Sequence, residues 1–348
     1  MADAPANLSY RQSHMTDETI STERPRRGFF AGASAQIGLF AIVALLWVIF
    51  STLAPGFTSP INLFGIGRSL AVDIVIGFSQ MVVLATGGMN LAVGSIGVCA
   101  VMLTGFLLQD AGVPIPVALA GGLLLGGALG WLNGFAIVKT GVNAFIITLA
   151  SASLFLGAML ILSKAVPYNT LPPEIGQFGR MRLWGYVSPL IFIAIAIGAA
   201  LYVLYRHTLL GRQILAAGAN PRAAEMSGVP VGRVIIISHT LSGLLAATAG
   251  IMLVARLGAA MPSVGGEDWL LPSFLGPVLG GTLLAGGSVA VIGTMIGAAL
   301  VTTIRSGLLV LQVGNFWLQL FLGLILLAAV MADRYRGVFL ERRSLGRR

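Results

Sequence analysis

Apolar residues run in blocks along almost the whole chain, and short breaks of Gly, Pro, Asn or charged residues part the blocks. A helix rises about 1.5 Å per residue, so about 20 apolar residues cross a bilayer core. Runs of that order fall at 35–54, 61–86, 91–109, 114–138, 143–162, 186–205, 234–257, 270–285, 289–311 and 316–331. They predict an all-α fold, a polytopic transmembrane helical bundle of about ten spans. The first run is longer than the roughly 7 to 15 residues of a signal-peptide core, and no clear small-residue cleavage site follows it. It therefore predicts a retained helix. The expected organisation is a polar cytosolic N-terminal tail at 1–34, predicted to be disordered, a transmembrane domain at 35–333, and a basic cytosolic C-terminal tail at 334–348.

Cations orient this bundle, because loops that stay in the cytoplasm keep Lys and Arg. Arg11, Arg24, Arg26 and Arg27 precede the first run, and Arg206, Arg212, Arg222 and Arg233 surround a central loop at 206–233. Six arginines follow the last run, and with Lys139 these make fifteen of the 21 cations on one side. Both termini and the central loop are then expected in the cytoplasm, with 164–185 as the longest external connection. Ten spans satisfy that parity.

An internal repeat is also visible. GGMNLAVGS at 87–95 and GGTLLAGGS at 280–288 agree at six of nine positions, 193 residues apart. Repeats recur in transporters, whose substrate path lies between the halves and is often lined by broken helices. Composition alone can also make two glycine-rich breaks look alike. With ten spans the two copies run parallel, so the match does not specify an inverted repeat.

Composition agrees with lipid as the solvent. Hydrophobic residues make up 57% and charged residues 9% of 348, against about 25% charged in a soluble domain. Mean hydropathy is +0.93. The 46 glycines suit close helix packing in a membrane, where small residues let backbones approach. A net charge of +9 would fit nucleic acid, but the cations lie in the tails and the central loop without an aromatic-rich basic face, so no nucleic-acid partner is expected. Cys99 is alone, and His14, His207 and His239 are scattered, so neither a disulfide nor a metal site is expected. The two lysines, Lys139 and Lys164, lack the glycines and following hydroxyl of a phosphate-cradling P-loop, and no Ser-His-Asp, H-E-x-x-H or C-x-x-C arrangement is present. The chain reads as no enzyme, with no cofactor of its own; energy for active transport would come from a partner.

The central loop contains a complete short-helix grammar. Asn220 suits an N-cap, Pro221 the first helical position, and Gly228 a left-handed stop, with Pro230 preventing continuation. A two-turn helix at 221–227 is predicted, exposing Ala223, Ala224 and Met226 among Arg222 and Glu225. Its small-residue face suits a partner's groove; an ordinary loop helix would read the same.

This segment, from Gly211 and Arg212 through Asn220, the paired Ala223 and Ala224, and Ser227, resembles the coupling-loop signature of ribose-type ABC importer permeases. In that family the short helix docks on the ATP-binding subunit, which makes 222–227 the implied contact. The resemblance extends over about 62–333. It includes the glycine-rich block at 77–95, Asn133 and Gly134, the run Phe145, Ile146, Thr148, Leu149, the late glycines Gly280, Gly281, Gly286, Gly287 and Gly293 with Thr282, and Ser306, Gly307, Leu308, Gln319, Gly323 and Asp333. Asn90 stands where the family usually has aspartate, Ala92 where it has serine, Asn143 and Ala144 where proline is common, and Leu270 and Pro272 where an acidic pair is frequent, although Glu267 and Asp268 lie just upstream. The resemblance implies a permease for a monosaccharide or related polyol in a bacterial inner membrane. It implies ABC ATP-binding subunits that use the ATP, a periplasmic solute-binding protein, and a second permease copy, identical or homologous, all around a chain embedded in membrane lipid.

Polar residues inside spans are costly and point to function. Asp73 lies near the middle of the second run and suits either a hydrogen bond within the bundle or an aqueous path; Arg68 and Arg305 lie toward the external ends, where long side chains snorkel. A sugar path needs neutral hydrogen-bonding groups. Gln80, Thr86, Asn90, Ser95, Asn143, Asn315, Trp317 and Gln319 have that chemistry, and Gly87 and Gly88 allow an unwound backbone there. Each is also readable as interhelical glue, which averages only about 0.6 kcal/mol per bond, and the path reading is favoured only at Asn90 and Ser95, where the repeat and the glycines allow an unwound backbone. The alternatives to a sugar importer are an ion-gradient secondary transporter dependent on Asp73, an ABC permease for branched-chain amino acids or nucleosides, and a non-transporting scaffold.

Overall fold

A computed structural model describes residues 29–313, 317, 319–328 and 331. Among them every regular element is helical. The long apolar helices are α1 (Phe29–Leu53), α2 (Pro60–Leu84), α4 (Ile115–Thr140), α5 (Ala144–Ser163), α7 (Pro189–His207), α10 (Val231–Leu257) and α12 (Val291–Val310). Seven helices are thus long and apolar enough to cross a membrane. Three shorter apolar helices occupy the other expected runs: α3 (Val93–Gln109), α11 (Leu270–Leu279) and α13 (Gln319–Ala328). Short polar-flanked helices complete the order as α6 (Pro173–Arg180), α8 (Leu209–Ala219) and α9 (Pro221–Met226).

Local chemistry explains most boundaries. Ser59 accepts from the Asn62 amide ahead of Pro60, Asn143 accepts from Phe145, and Ser188 accepts from Leu190 ahead of Pro189. Gly141 and Gly258 stop α4 and α10 in the left-handed conformation at φ 69° and 71°. The run expected at 270–285 is cut short. Helix α11 ends at Leu279, and Gly281, Gly286 and Gly287 follow at φ 92°, 84° and 77°, a backbone that no helix accommodates. Helix α6, within the 164–185 connection, escaped the apolar pattern because its eight residues bury only Ile175, Gly176 and Gly179.

The bundle is built around α2 and α10. Every residue from Ala71 to Leu84 of α2 is buried. Helix α4 reaches α10 through a stripe of small residues four apart. A methyl added at Gly126 would fall 2.4 Å from the Ala247 Cβ, and one at Gly130 would fall 2.3 Å from the His239 carbonyl oxygen. Such contacts let helices approach by backbone, which is how they gain attraction where lipid removes the hydrophobic force. Helices α1 and α5 are peripheral and largely exposed. Helices α3 and α11 start side by side. Gly94 of α3 lies against the Gly266 carbonyl, where an added methyl would fall 1.8 Å away, and Gly97 lies against Trp269 at the start of α11.

Candidate functional site

Ser79 on α2 and Ser242 near the middle of α10 tie the two central helices together. The Ser79 hydroxyl donates to the Ser242 carbonyl at 2.8 Å and shares a 3.0 Å hydrogen bond with its hydroxyl. Asn90, in the break between α2 and α3, donates through Nδ2 to Ser242 Oγ at 2.9 Å, while its Oδ1 accepts from the Ala92 amide at 3.0 Å. Asn90 therefore holds the unwound segment to α10 and organises the start of α3. Thr148 on α5 donates to the Ala144 carbonyl at 2.7 Å and lies 3.4 Å from the Met89 carbonyl. Gln80 beside this seam is fully buried, and neither its Oε1 nor its Nε2 meets a partner among the described residues. His239, one turn before Ser242, bonds through Nδ1 to the Ile235 carbonyl at 3.0 Å.

Asn90→Leu removes two hydrogen bonds and strands the Ala92 amide in the bundle. We expect a loss of about 1–2 kcal/mol, read as a lower unfolding temperature of the purified protein in detergent.

The second assembly is the hairpin of α8 and α9. Thr208 accepts from the Gly211 amide at 3.1 Å and starts α8. Gly211 sits in the α7–α8 corner, where an added methyl would fall 2.1 Å from the Leu204 carbonyl oxygen. Asn220 Oδ1 accepts from Ala223 at 3.1 Å, Pro221 opens α9, Ser227 Oγ donates to the Ala223 carbonyl at 2.9 Å, and Gly228 turns the chain at φ 80°. Arg212, Arg222, Ala223, Glu225 and Met226 are exposed, Met226 by 90%. Ala224 is the correction: it is only 5% exposed. A six-residue helix shows one face outward, and Ala224 lies on the opposite face, packed into the core with α8 and α10. The exposed face is that of Ala223 and Met226.

The hairpin rests on both glycine-rich breaks. A methyl on Gly218 of α8 would lie 2.0 Å from the Ala85 carbonyl oxygen and 2.6 Å from the Gly287 nitrogen. The Gly287 amide donates to that same Ala85 carbonyl at 3.0 Å. Gly286 in turn abuts Gly87, where an added methyl would come within 2.6 Å of the Gly87 nitrogen. The break after α2, the break after α11 and the end of α8 thus meet backbone to backbone.

The expected path residues do not form one lining. Gln80, Asn90 and Ser95 are buried in the bundle. Gly87 lies at the junction, Gly88 lies against Val83, and Thr86 donates to the Val83 carbonyl at 2.8 Å. Asn143 caps α5 from an exposed position, and Trp317 and Gln319 are exposed. Asn315 lies outside the described residues. Asp73 has the basic partner that its own neighbourhood in sequence lacks: Arg305 Nη1 lies 3.5 Å from Asp73 Oδ2, which also accepts from Thr302 at 2.8 Å. Arg68, expected to snorkel, donates to the Arg256 carbonyl. Ser79, Ser242, Gly218 and the whole of α8 escaped the sequence reading. A lone Ser or Gly inside an apolar run carries no local signal, although the Thr208 cap ahead of 209–219 was available.

Residues 62–330 match the family model of the branched-chain amino acid transport system permease component. The chain belongs to this family. The ribose import permease protein RbsC of Escherichia coli K12 is 36% identical over 328 residues, covering 92% of this chain and 99% of that protein. The RbsC protein of Bacillus subtilis 168 is 35% identical over 323 residues, with the same coverages. The D-allose transport system permease protein AlsC of Escherichia coli K12 is 33% identical over 302 residues, covering 86% and 91%. The resemblance drawn from the motifs is borne out. No solved structure matches the chain. With seven spanning-length apolar helices among the described residues and permease relatives, this family member is a multi-pass membrane protein.

Proposed function

We propose that this chain is the permease subunit of an ATP-binding-cassette importer that moves a monosaccharide or related polyol across a bacterial inner membrane. The carrying observation is the α8–α9 hairpin, which offers an exposed face on α9 while α8 rests on both helix breaks through Gly218. The named relatives carry ribose and allose, which supports a small polyhydroxy cargo. ATP is bound and hydrolysed by a partner subunit seated on α9. A second permease copy and a periplasmic solute-binding protein complete the path.

In this reading all ten apolar helices cross or enter the membrane, both termini and the hairpin are cytoplasmic, and 87–95 and 280–288 are copies of an internal repeat. Closure of the ATPase subunits moves α9, and α8 transmits the movement to the breaks after α2 and α11. A bundle with two discrete packings then alternates between inward-open and outward-open, ATP and the loaded binding protein each favouring one state. Neutral groups at the breaks, Asn90 and Ser95 among them, exchange hydrogen bonds with the sugar as the seam opens.

Purifying the tagged chain from its native membrane in mild detergent, with assay of co-purifying ATPase and mass spectrometry of its companions, tests the assignment. An ATP-binding subunit in the complex is the expected result; a solitary chain whose vesicles move solute on an ion gradient would overturn it. Asp73→Asn separates the two energy sources. It keeps an acceptor for Thr302 and removes the charge beside the half-buried Arg305, so the protein should lose thermal stability, while ATP-driven uptake per folded transporter should stay within about threefold. A proton-coupled carrier dependent on that acid would stop.

A further inference from the structure

Six of the 21 cations lie outside the tails, the central loop and Lys139, namely Arg68, Lys164, Arg180, Arg182, Arg256 and Arg305. Five of these six gather in one place. Helix α2 meets the α8–α9 hairpin at its C-terminal end, and α10 leaves the hairpin at its N-terminal end, so Arg68 and Arg256 mark the opposite end of the bundle. There the Phe64 ring has the Arg68 guanidinium carbon at 5.2 Å from its centroid and that of Arg182 at 4.9 Å. Arg68 donates to the Arg256 carbonyl, Arg180 reaches along α6 to within contact of Gly258, and Arg256 in turn has Asp73 and Arg305 as charged neighbours. Arg305 with Asp73 is the one ion pair among the described residues. Among the described residues Arg68, Arg180, Arg182 and Arg256 therefore make no ion pair, Asp73 acting on Arg256 only from beyond ion-pair distance, and the Arg68 Nε is buried without an acceptor among those residues.

Cations are disfavoured on the translocated side of a membrane protein, so such a concentration needs a counter-charge. Stacking on one ring holds the Arg68 and Arg182 guanidinium groups while leaving N–H edges for an oxyanion, which they match in bidentate geometry. Large exposed apolar side chains are neighbours of the cluster along the chain, Ile61 one turn before Phe64 and Phe178, Met181, Trp184 and Tyr186 close to Arg180 and Arg182. Trp and Tyr beside Arg at the ends of spanning helices mark headgroup depth, which favours a lipid over a soluble partner.

We propose that Arg68, Arg180, Arg182 and Arg256, arranged around Phe64, form a site for one phosphate oxyanion, supplied by the headgroup of an anionic phospholipid. The placement in the outer leaflet rests on the orientation given under Proposed function; the binding itself does not. The test uses the purified full chain in neutral detergent, with thermal unfolding and native mass spectrometry read against short-chain phosphatidylglycerol, phosphatidylcholine and inorganic phosphate. Phosphatidylglycerol should raise the unfolding temperature and persist as an adduct at concentrations where phosphatidylcholine does neither. Arg68→Gln and Arg182→Gln should each weaken it about tenfold, the loss of one charge-assisted contact, and added salt should do the same. Arg182→Gln alters an exposed loop residue and so keeps the test clear of misfolding, and Lys164→Gln should leave binding unchanged. Competition by millimolar inorganic phosphate would show that free oxyanions share the site. Equal response to both lipids, unchanged phosphatidylglycerol binding in the two arginine variants, or variants that lose only the response to an added solute-binding protein would overturn the proposal. Because no ATPase subunit enters the assay, its failure leaves the importer reading standing, and failure of that reading leaves this site standing.

Discussion

Met226→Asp should abolish ATP-coupled uptake while the protein still reaches the membrane in normal amount. Met226 is 90% exposed on a six-residue helix whose other apolar contact, Ala224, faces inward. An apolar side chain held out so far gains about 1.5–3 kcal/mol when a partner's groove covers it. The substitution removes that gain and adds a carboxylate that must be desolvated at the same interface. A loss of about 2 kcal/mol alone lowers subunit affinity about 30-fold, so the ATPase subunit should no longer co-purify. Ala223→Arg, on the same exposed face, should act in the same direction. Ala224→Arg should instead damage the hairpin, because its methyl is buried, and lower expression would separate it from the other two. Wild-type uptake and wild-type recovery of the ATPase subunit in Met226→Asp would sink α9 as the coupling helix.

Gly218→Val should give the converse phenotype, an assembled complex that hydrolyses ATP without moving solute. The first added carbon would already lie 2.0 Å from the Ala85 carbonyl oxygen and 2.6 Å from the Gly287 nitrogen. Both are backbone atoms, so relief requires α8 to tilt away from the breaks at an overpacking cost of about 1–3 kcal/mol. The exposed face of α9 is untouched, and the ATPase subunit should still bind. Uptake per ATP hydrolysed is the quantity to measure, and we expect it to fall at least about tenfold, since about 1.4 kcal/mol of misplaced equilibrium suffices. Gly157→Ala, with no neighbour within 4 Å, is the control that should behave as wild type. Normal transport by Gly218→Val would show that the contact between α8 and the breaks carries no coupling.

The two variants probe features that differ in how far they could be read from the chain. The cap, proline and glycine at Asn220, Pro221 and Gly228 act within a few residues of one another, and α9 appears between them. The apolar runs likewise predicted where helices lie, because burial in lipid demands apolar length and little else. Their limits were harder. The run at 270–285 is apolar throughout, yet α11 stops at Leu279, because the glycines that follow take left-handed conformations against α2 and α8. Periodicity carries little orientation inside a membrane protein, since lipid-facing and core-facing residues are both apolar. Ala224 failed for another reason: both alanines of α9 were expected outward, and contact with α8 and α10 turns Ala224 inward, which no local pattern in six residues reports.

The sequence by itself determined that the chain is helical and membrane-embedded, that a capped short helix interrupts the central loop, and, through ordered motifs, which permease family it belongs to. Those properties follow from composition and from interactions across a few residues. Only the tertiary structure decided that Asn90 bonds to Ser242 across 152 residues, that Asp73 meets Arg305 across 232, and that Gly87, Gly218 and Gly286 share one backbone junction. A side chain's partner on another helix depends on rotation and depth within the bundle. Those are set by close contact between small residues, and an apolar run reads the same in every rotation.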